Sequence, residues 1–409
     1  MTDLSKLKVC IISDWLTEPG GAEKVVSAMS SVFESAPIHI AVADIKGVNY
    51  LFKNNQKIKT SYLQWIPNAH VIRQYLLPFL CHAIRSFDLS EYDVVLSSSS
   101  CVAKNVRVTK DQLHICYIHT PVRYAWEANH DPRFQNLPSI IQWPAKLYLN
   151  YFKNRDYKYR NNVQHYISNS RATAERVEKY YGRQSEVLYP PVDFEHLAID
   201  GDQQLDRHLA SANETHNEPQ TNDRKQTKLI NNGQPFFLGL GRLVPYKRAD
   251  LLVEAFIGLP EHHLIIAGGG SEQEALERRV RESGATNIEL LGHVPTQLRN
   301  ELLNKAQAMV LPQREDAGIV QLEALASGTP VIAFGEGGAL DVIDEGVTGL
   351  FFKEQTPESI QQAVTQFHEK KEGFEPEALR ESVRRYSKES FANNYFKLVQ
   401  EKVSEHFTT

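Results

Sequence analysis

The 409-residue chain is poor in cysteine, and no two of its four cysteines stand in a C-x-x-C spacing. Cys10, Cys81, Cys101 and Cys116 lie among apolar neighbours, which fits reduced packing residues better than a disulfide framework or a thiolate metal site. Long apolar runs are also missing. The longest apolar stretch, 71–84, is broken by Arg73, Gln74 and His82, so nothing approaches the ~18 residues of a membrane span. The start, Met1-Thr2-Asp3-Leu4-Ser5-Lys6, has neither the basic nor the apolar region of a signal peptide, and a cytoplasmic chain is expected. The G-x-G-x-x-G spacing is absent, which counts against a dinucleotide fingerprint and a dehydrogenase. No convincing D-x-D pair stands in the amino-terminal region, so chemistry without a metal or other cofactor is expected.

What is present suits two well-filled domains: 42% of residues are apolar and 23% charged. Short β-branched runs alternate with helical stretches, twice over. The runs 8–13, 38–42, 92–97, 114–118 and 164–168 form the first series, and 236–240, 263–267, 288–291, 308–311 and 331–334 the second. Helices are expected between them, including 249–257, 272–282, 297–305 and 319–326. This pattern predicts an α/β fold of two parallel-sheet domains. The net charge of −5 conceals an asymmetry: 23 Lys and Arg face 16 Asp and Glu up to residue 190, and 22 face 34 beyond it. Within 146–183, nine basic residues face three acidic ones and alternate with tyrosines. Such a stretch fits an anionic membrane surface, the alternative being an ordinary amphipathic helix packed on its own domain. Nucleic acid fits poorly, since no recognition motif accompanies the charge.

The chemistry concentrates in Arg314-Glu315-Asp316-Ala317-Gly318-Ile319-Val320-Gln321-Leu322-Glu323. Glu315 follows a strand-like run, and Gly318, Ile319 and Val320 would open a helix whose unpaired N–H groups suit an anion. A diphosphate there would leave Glu315 toward a sugar and Glu323 toward a ribose diol, because carboxylates accept strongly from hydroxyls. The competing reading is a solvated loop Glu and an acidic helix start. Arg242 and Lys247, flanking Pro245 in a loop, supply two cations able to neutralise a leaving diphosphate. Gly20 and Gly21, after the first run, let backbone approach a phosphate or sugar, though a tight turn explains them as well. His293 and Val294 follow a further strand and border the base and ribose in the same reading, though an ordinary loop histidine explains them as well.

These segments resemble, in order along the chain, the motifs of the retaining GT-B glycosyltransferases of family 4. The Glu315/Glu323 segment resembles the E-x7-E motif, and Gly241-Arg242-Leu243-Val244-Pro245-Tyr246-Lys247 the G-R-x(3,4)-K segment. Ile118-His119-Thr120-Pro121-Val122-Arg123-Tyr124-Ala125-Trp126 resembles the histidine segment of the mannosyltransferase branch, and Gly20-Gly21-Ala22-Glu23-Lys24-Val25 the glycine loop. Ala317 and Gln321 depart from the aromatic residue and proline common in the family. The resemblance implies a GT-B fold: two Rossmann-like domains facing each other across a cleft. Its parts are an acceptor domain over 1–190, a linker with a polar, mobile insertion over 191–234, a donor domain over 235–380, and a helix over 381–409 crossing back to the first domain. It implies His119 beside the transferred sugar, Arg123 and Trp126 on the acceptor side, and no metal. The activity it implies is transfer of a hexose, with mannose from GDP-mannose favoured, to a lipid-linked saccharide acceptor on the cytosolic face of a membrane in polysaccharide synthesis. A UDP-sugar donor (glucose or N-acetylglucosamine) and a nucleotide-sugar epimerase of the same shape are the alternatives.

Overall fold

A computed structural model describes residues 4–17, 20–52, 56–73, 76–126, 139–194, 197 and 234–408. Most of the polar insertion lies outside these described residues. The chain divides into two compact units, Met1–Pro191 with Lys388–Thr409, and Val192–Ser387.

The first unit holds a seven-stranded parallel sheet: β1 (Val9–Leu16), β2 (Ile38–Ala43), β3 (Ile58–Thr60), β4 (Val94–Ser99), β5 (Leu113–Ile118), β6 (His165–Ser168) and β7 (Ser185–Val187), ordered β3-β2-β1-β4-β5-β6-β7. Among its helices are α1 (Gly21–Val32), α2 (Leu77–Arg85), α3 (Arg123–Trp126), α4 (Ser139–Tyr159) and α5 (Arg171–Tyr181). β2, β4 and β5 are buried at every position, which is why they read as apolar runs and not as alternations. Helix α5 starts at Ser170, whose hydroxyl accepts the Thr173 N–H at 3.1 Å, and stops at Gly182 in the left-handed conformation. All four cysteines are buried and free.

The second unit repeats the plan with β8 (Phe236–Leu240), β9 (His263–Ala267), β10 (Ile288–Gly292), β11 (Ala308–Leu311), β12 (Val331–Phe334) and β13 (Gly349–Phe352), ordered β10-β9-β8-β11-β12-β13 and again parallel. Its helices include α6 (Ala249–Ile257), α7 (Gln273–Ser283), α8 (Thr296–Lys305), α9 (Ile319–Ala326), α10 (Ala339–Val342), α11 (Pro357–Lys370) and α12 (Pro376–Val383). Phe237, Phe256, Phe367 and Phe374 anchor its core. Strand order reverses between β1 and β4 in one unit and between β8 and β11 in the other. In open parallel sheets such switch points leave a crevice outside the strands' carboxyl ends.

Residues 376–407 read as one helical stretch in the sequence but form two helices. A tight turn, Arg384–Tyr386, separates α12 from α13 (Lys388–Phe407). Residues 381–387, expected to travel with the returning helix, stay with the second unit because Val383 and Tyr386 are buried there, and Tyr386 donates to the Asp341 carbonyl at 3.2 Å. Helix α13 then returns to the first unit. Its Phe391, Tyr395, Val399 and Val403 share a core with Val25, Met29, Leu96 and Tyr117.

Candidate active site

In the second unit the expected residues gather at the carboxyl ends of β8, β10 and β11, on both sides of the switch point. β8 runs into a loop carrying Arg242 and then a tight turn, Pro245–Lys247. Lys247 Nζ donates to Glu315 Oε1 at 2.6 Å, and Gln313 Nε2 donates to the same oxygen at 2.6 Å. The Lys247 and Glu315 side chains are 19% and 16% exposed, so the pair is shielded yet reachable. Arg242 is exposed and donates to the Tyr246 hydroxyl at 3.0 Å. This places two cations and one carboxylate where the crevice lies, with Lys247 fixed by its counter-ion and Arg242 held only at the surface.

The loops behind these residues are stitched together. Leu243 N–H donates to the Gly269 carbonyl at 2.9 Å, and Glu272 N–H returns a bond to the Leu243 carbonyl at 3.0 Å. A Cβ on Gly268 would stand 1.8 Å from the Gly241 carbonyl oxygen and one on Gly270 2.1 Å from that of Leu243, so backbone contact alone requires glycine at these two positions, while Gly269 has ordinary room. His293 leaves β10 exposed, with Val294 buried beside it.

Across the switch point, Gly318 takes the left-handed conformation (φ +66°) and opens α9. The first-turn amides of Ile319 and Val320 have no partner within the helix by its geometry, and they start at the sheet edge. Glu315 is fixed on its other side, where its carbonyl accepts the Gly338 N–H at 2.8 Å. Of the two departures from the family pattern, Ala317 is buried just before the helix entry and Gln321 lies within its first turn. Gln321 is fully buried and folds back over Gly318, where a Cβ would come within 2.4 Å of its Oε1. Its amide has no hydrogen-bond partner among the described residues. Glu323, one turn further, is nearly buried and is ion-paired with Arg299 of α8. Sequence reading missed both Gln313 and Arg299. Gln313 was visible only as a neighbour of the motif, and Arg299 carries no signal until α8 is seen beside α9.

In the first unit, Gly20 (φ −92°, ψ 179°) precedes α1 and Gly21 begins it, at the end of β1. Asp14, close by on β1, accepts four backbone N–H bonds of 2.6–2.8 Å from Ser100, Cys101, Val102 and Ala103. Burial raises its pKa and the four donors oppose that shift. The result is a loop after β4 clamped to the end of β1. His119 follows β5. Its Nε2 lies 2.8 Å from the Ser98 hydroxyl, its carbonyl accepts from Thr173 at 3.2 Å, and Arg176 donates to Thr120 at 2.8 Å. Burial lowers the His119 pKa to about 4, so the ring is neutral at physiological pH.

Arg123 and Trp126 lie on α3, and the Arg123 side chain falls outside the described residues. The Trp126 indole N–H donates to Asp156 at 2.8 Å, its ring stacks on Tyr180 at 4.8 Å, and Lys153 Nζ sits 4.5 Å from the ring centre. Asp156 is buried, also accepts from Tyr181 at 2.8 Å, and is paired with the buried Lys104. Trp126 thus anchors α3 to α4. On the opposite face of α4, Trp143, Leu147 and Tyr151 recur every four residues and are more than half exposed. No helix among the described residues is long and apolar enough to cross a membrane.

The comparisons with known proteins follow the division into units. Residues 19–196 match the model described as Glycosyltransferase Family 4, and residues 220–390 the one described as Glycosyl transferases group 1. An uncharacterised glycosyltransferase of Methanocaldococcus jannaschii is 32% identical over 136 residues, covering 32% of this chain and 35% of that protein. The GDP-mannose-dependent alpha-(1-6)-phosphatidylinositol monomannoside mannosyltransferase of Mycolicibacterium smegmatis is 34% identical over 129 residues, covering 28% of this chain and 34% of that protein. The match thus spans about a third of the length of these relatives. Anabaena HepE, crystallised with UDP and glucose, superposes with a TM-score of 0.67 at 16% identity, over 96% of this chain and 99% of that one. One glycosyltransferase model thus lies over each parallel-sheet unit, and the fold is that of the GT-B glycosyltransferases.

Proposed function

We propose that this protein transfers a hexose from a nucleoside-diphosphate sugar to an acceptor hydroxyl with retention of configuration, and that the donor is GDP-mannose. The observation that carries the proposal is the Lys247–Glu315 pair beside the open start of α9, at the switch point of the second sheet. Lys247, Arg242 and the α9 amides stabilise the diphosphate as the bond from the sugar's C1 to the β-phosphate oxygen breaks. Glu315 accepts from the sugar's hydroxyls and Glu323 from the ribose diol. The bond from C1 to the acceptor oxygen forms on the same face, and the acceptor's proton passes to the leaving phosphate oxygen. Lys247 and Arg242 neutralise the leaving charge, so the step needs no metal. Mannose is favoured by the His119 segment and by the relative whose name specifies GDP-mannose.

The acceptor in this proposal is a lipid-linked saccharide at the cytosolic face of an anionic membrane. Support comes from α4, where Trp143, Leu147 and Tyr151 share an outward face with Lys158 and stand beside Lys146 and Arg155. Thermal unfolding with GDP, UDP, ADP and their sugar conjugates tests the donor. A ligand at a hundredfold excess over its Kd stabilises the folded state by ~2.7 kcal/mol. A shift confined to GDP and GDP-mannose supports the proposal, and one confined to the UDP series replaces mannose by a glucose-type donor. No shift with any nucleotide removes the enzyme reading. Product analysis with the donor alone separates transfer from epimerisation, which needs no acceptor.

A further inference from the structure

The two carboxylates of the Glu315/Glu323 pair each have a cationic partner, from a different element, at the carboxyl end of the same sheet. Lys247, after β8, holds Glu315. Arg299, one turn into the helix that follows β10, holds Glu323: its Nη2 donates to Oε2 of that carboxylate. The Glu323 side chain is 6% exposed and that of Arg299 24%, so the carboxylate is almost out of water and its cation reaches it from the solvent edge. A buried carboxylate without a partner is strongly disfavoured, yet an apolar pair of similar volume usually serves stability as well as a buried ion pair does. Packing alone therefore gives no reason for an ion pair at this position. A charge kept at a ligand edge, with its orientation set by a charge-assisted N–H bond to one of its oxygens, is what recognition of a diol requires.

We propose that Arg299 is a positioning residue for the donor's ribose: it holds Glu323 in the ionised form and orientation that accepts from the 2′ and 3′ hydroxyls. This rests on the nucleotide-sugar reading above. Arg299 touches no reacting atom. Its α8 begins directly after His293, Val294 and Pro295, so the loop bordering the base and the carboxylate receiving the ribose are tied by one side chain. Sugar choice is untouched by it, since Arg299 acts at the nucleoside end.

The test measures binding of UDP and GDP, and of their 2′-deoxy counterparts, to wild type, Arg299→Ala, Arg299→Lys and Glu323→Gln by titration calorimetry. Loss of a hydrogen bond to a charged group costs about tenfold or more in affinity, so wild type should prefer the ribo form by at least that factor. In Arg299→Ala the preference should fall below about threefold, through weakened ribonucleotide binding with deoxynucleotide binding nearly unchanged. Arg299→Lys should restore part of the preference, and Glu323→Gln should lose it with Arg299 intact. Should Arg299→Ala fail to fold, the other two variants carry the test by the same readout. Full retention of the preference in Arg299→Ala overturns the proposal, as does an equal loss for both nucleotides, the mark of a purely structural role. Wild type that binds neither UDP nor GDP overturns the donor reading first, and this inference with it; wild type that binds while Arg299→Ala keeps its preference overturns this inference alone.

Discussion

Replacing Asp156 by Asn should destabilise the first unit by about 3 kcal/mol while leaving the second untouched. Asp156 accepts from Trp126 and Tyr181 and neutralises Lys104, whose side chain is 1% exposed. The substitution keeps the shape and one acceptor oxygen but strands a buried ammonium, and breaking a buried pair from one side typically costs ~3–5 kcal/mol. Asn retains part of the bonding to Trp126 or Tyr181, and Lys104 retains its 3.0 Å bond to Asn105, so the low end applies. With a urea slope of at most about 3 kcal/mol per M, the midpoint should fall by about 1 M or more. The assay isolates the right unit, because all four tryptophans, Trp15, Trp65, Trp126 and Trp143, belong to it. Tryptophan fluorescence therefore follows the first unit alone, while circular dichroism follows both. Lys104→Met combined with Asp156→Asn should cost less than the two separate losses together, with a coupling of about 2 kcal/mol. Additivity within about 0.5 kcal/mol, or a loss below about 1 kcal/mol for Asp156→Asn, would refute the hub.

Lys247→Ala should lower turnover by about a hundredfold or more, as removal of a charge-stabilising donor does, while costing no more than ~1 kcal/mol of stability because the pair is partly solvated; steady-state kinetics within threefold of wild type would dismiss Lys247 from the site. Burial lowers the pKa of His39, His114 and His119 from 6.5 to about 4 each. Between those values the unfolded chain binds more protons than the folded one, so stability falls as pH drops from about 6.5 toward 4. The urea midpoint read by fluorescence should decline over that window, and a flat profile would contradict it. Phe391→Ala, which empties a site 2% exposed, should cost ~3–5 kcal/mol in the fluorescence transition and leave nucleotide-induced shifts of the second unit in place. Replacing Lys146, Arg155 and Lys158 by Glu should abolish binding to anionic vesicles; unchanged binding would move the membrane contact away from α4.

The second sheet was more legible than the first. Strands over 236–240, 263–267, 308–311 and 331–334 have the bounds read from their apolar runs, because each is short, buried on both faces and stopped by Gly, Pro or polar residues. β3 and β13 escaped notice, and β7 showed only through the double proline that follows it. β3 and β7 are three-residue edges, Ile-Lys-Thr and Ser-Glu-Val, whose half-exposed side chains leave no apolar signal. β13 is buried, but its run Gly349–Phe352 spans only four residues within a loop-like setting. The site divides the same way. Glu315, Gly318 and Glu323 stood out as candidates because one helix entry sets their spacing, and Arg242 and Lys247 because a strand exit presents them. Arg299 and Asp156 depend on one helix lying against another, which no local spacing encodes.

Helix α13 gives the molecule an order of assembly. The four side chains that complete the first unit's core come from 388–407, so they leave the ribosome only after the whole of 192–387 has been made. The second unit can close its sheet while the first still exposes the apolar groove between α1 and β5, and the first-made unit becomes the last to finish. During that interval the unfilled groove around Val25, Met29 and Tyr117 is the surface most open to a chaperone or to a neighbouring nascent chain. A circular permutant that carries α13 ahead of β1 would restore the usual order, with each unit folding as it emerges.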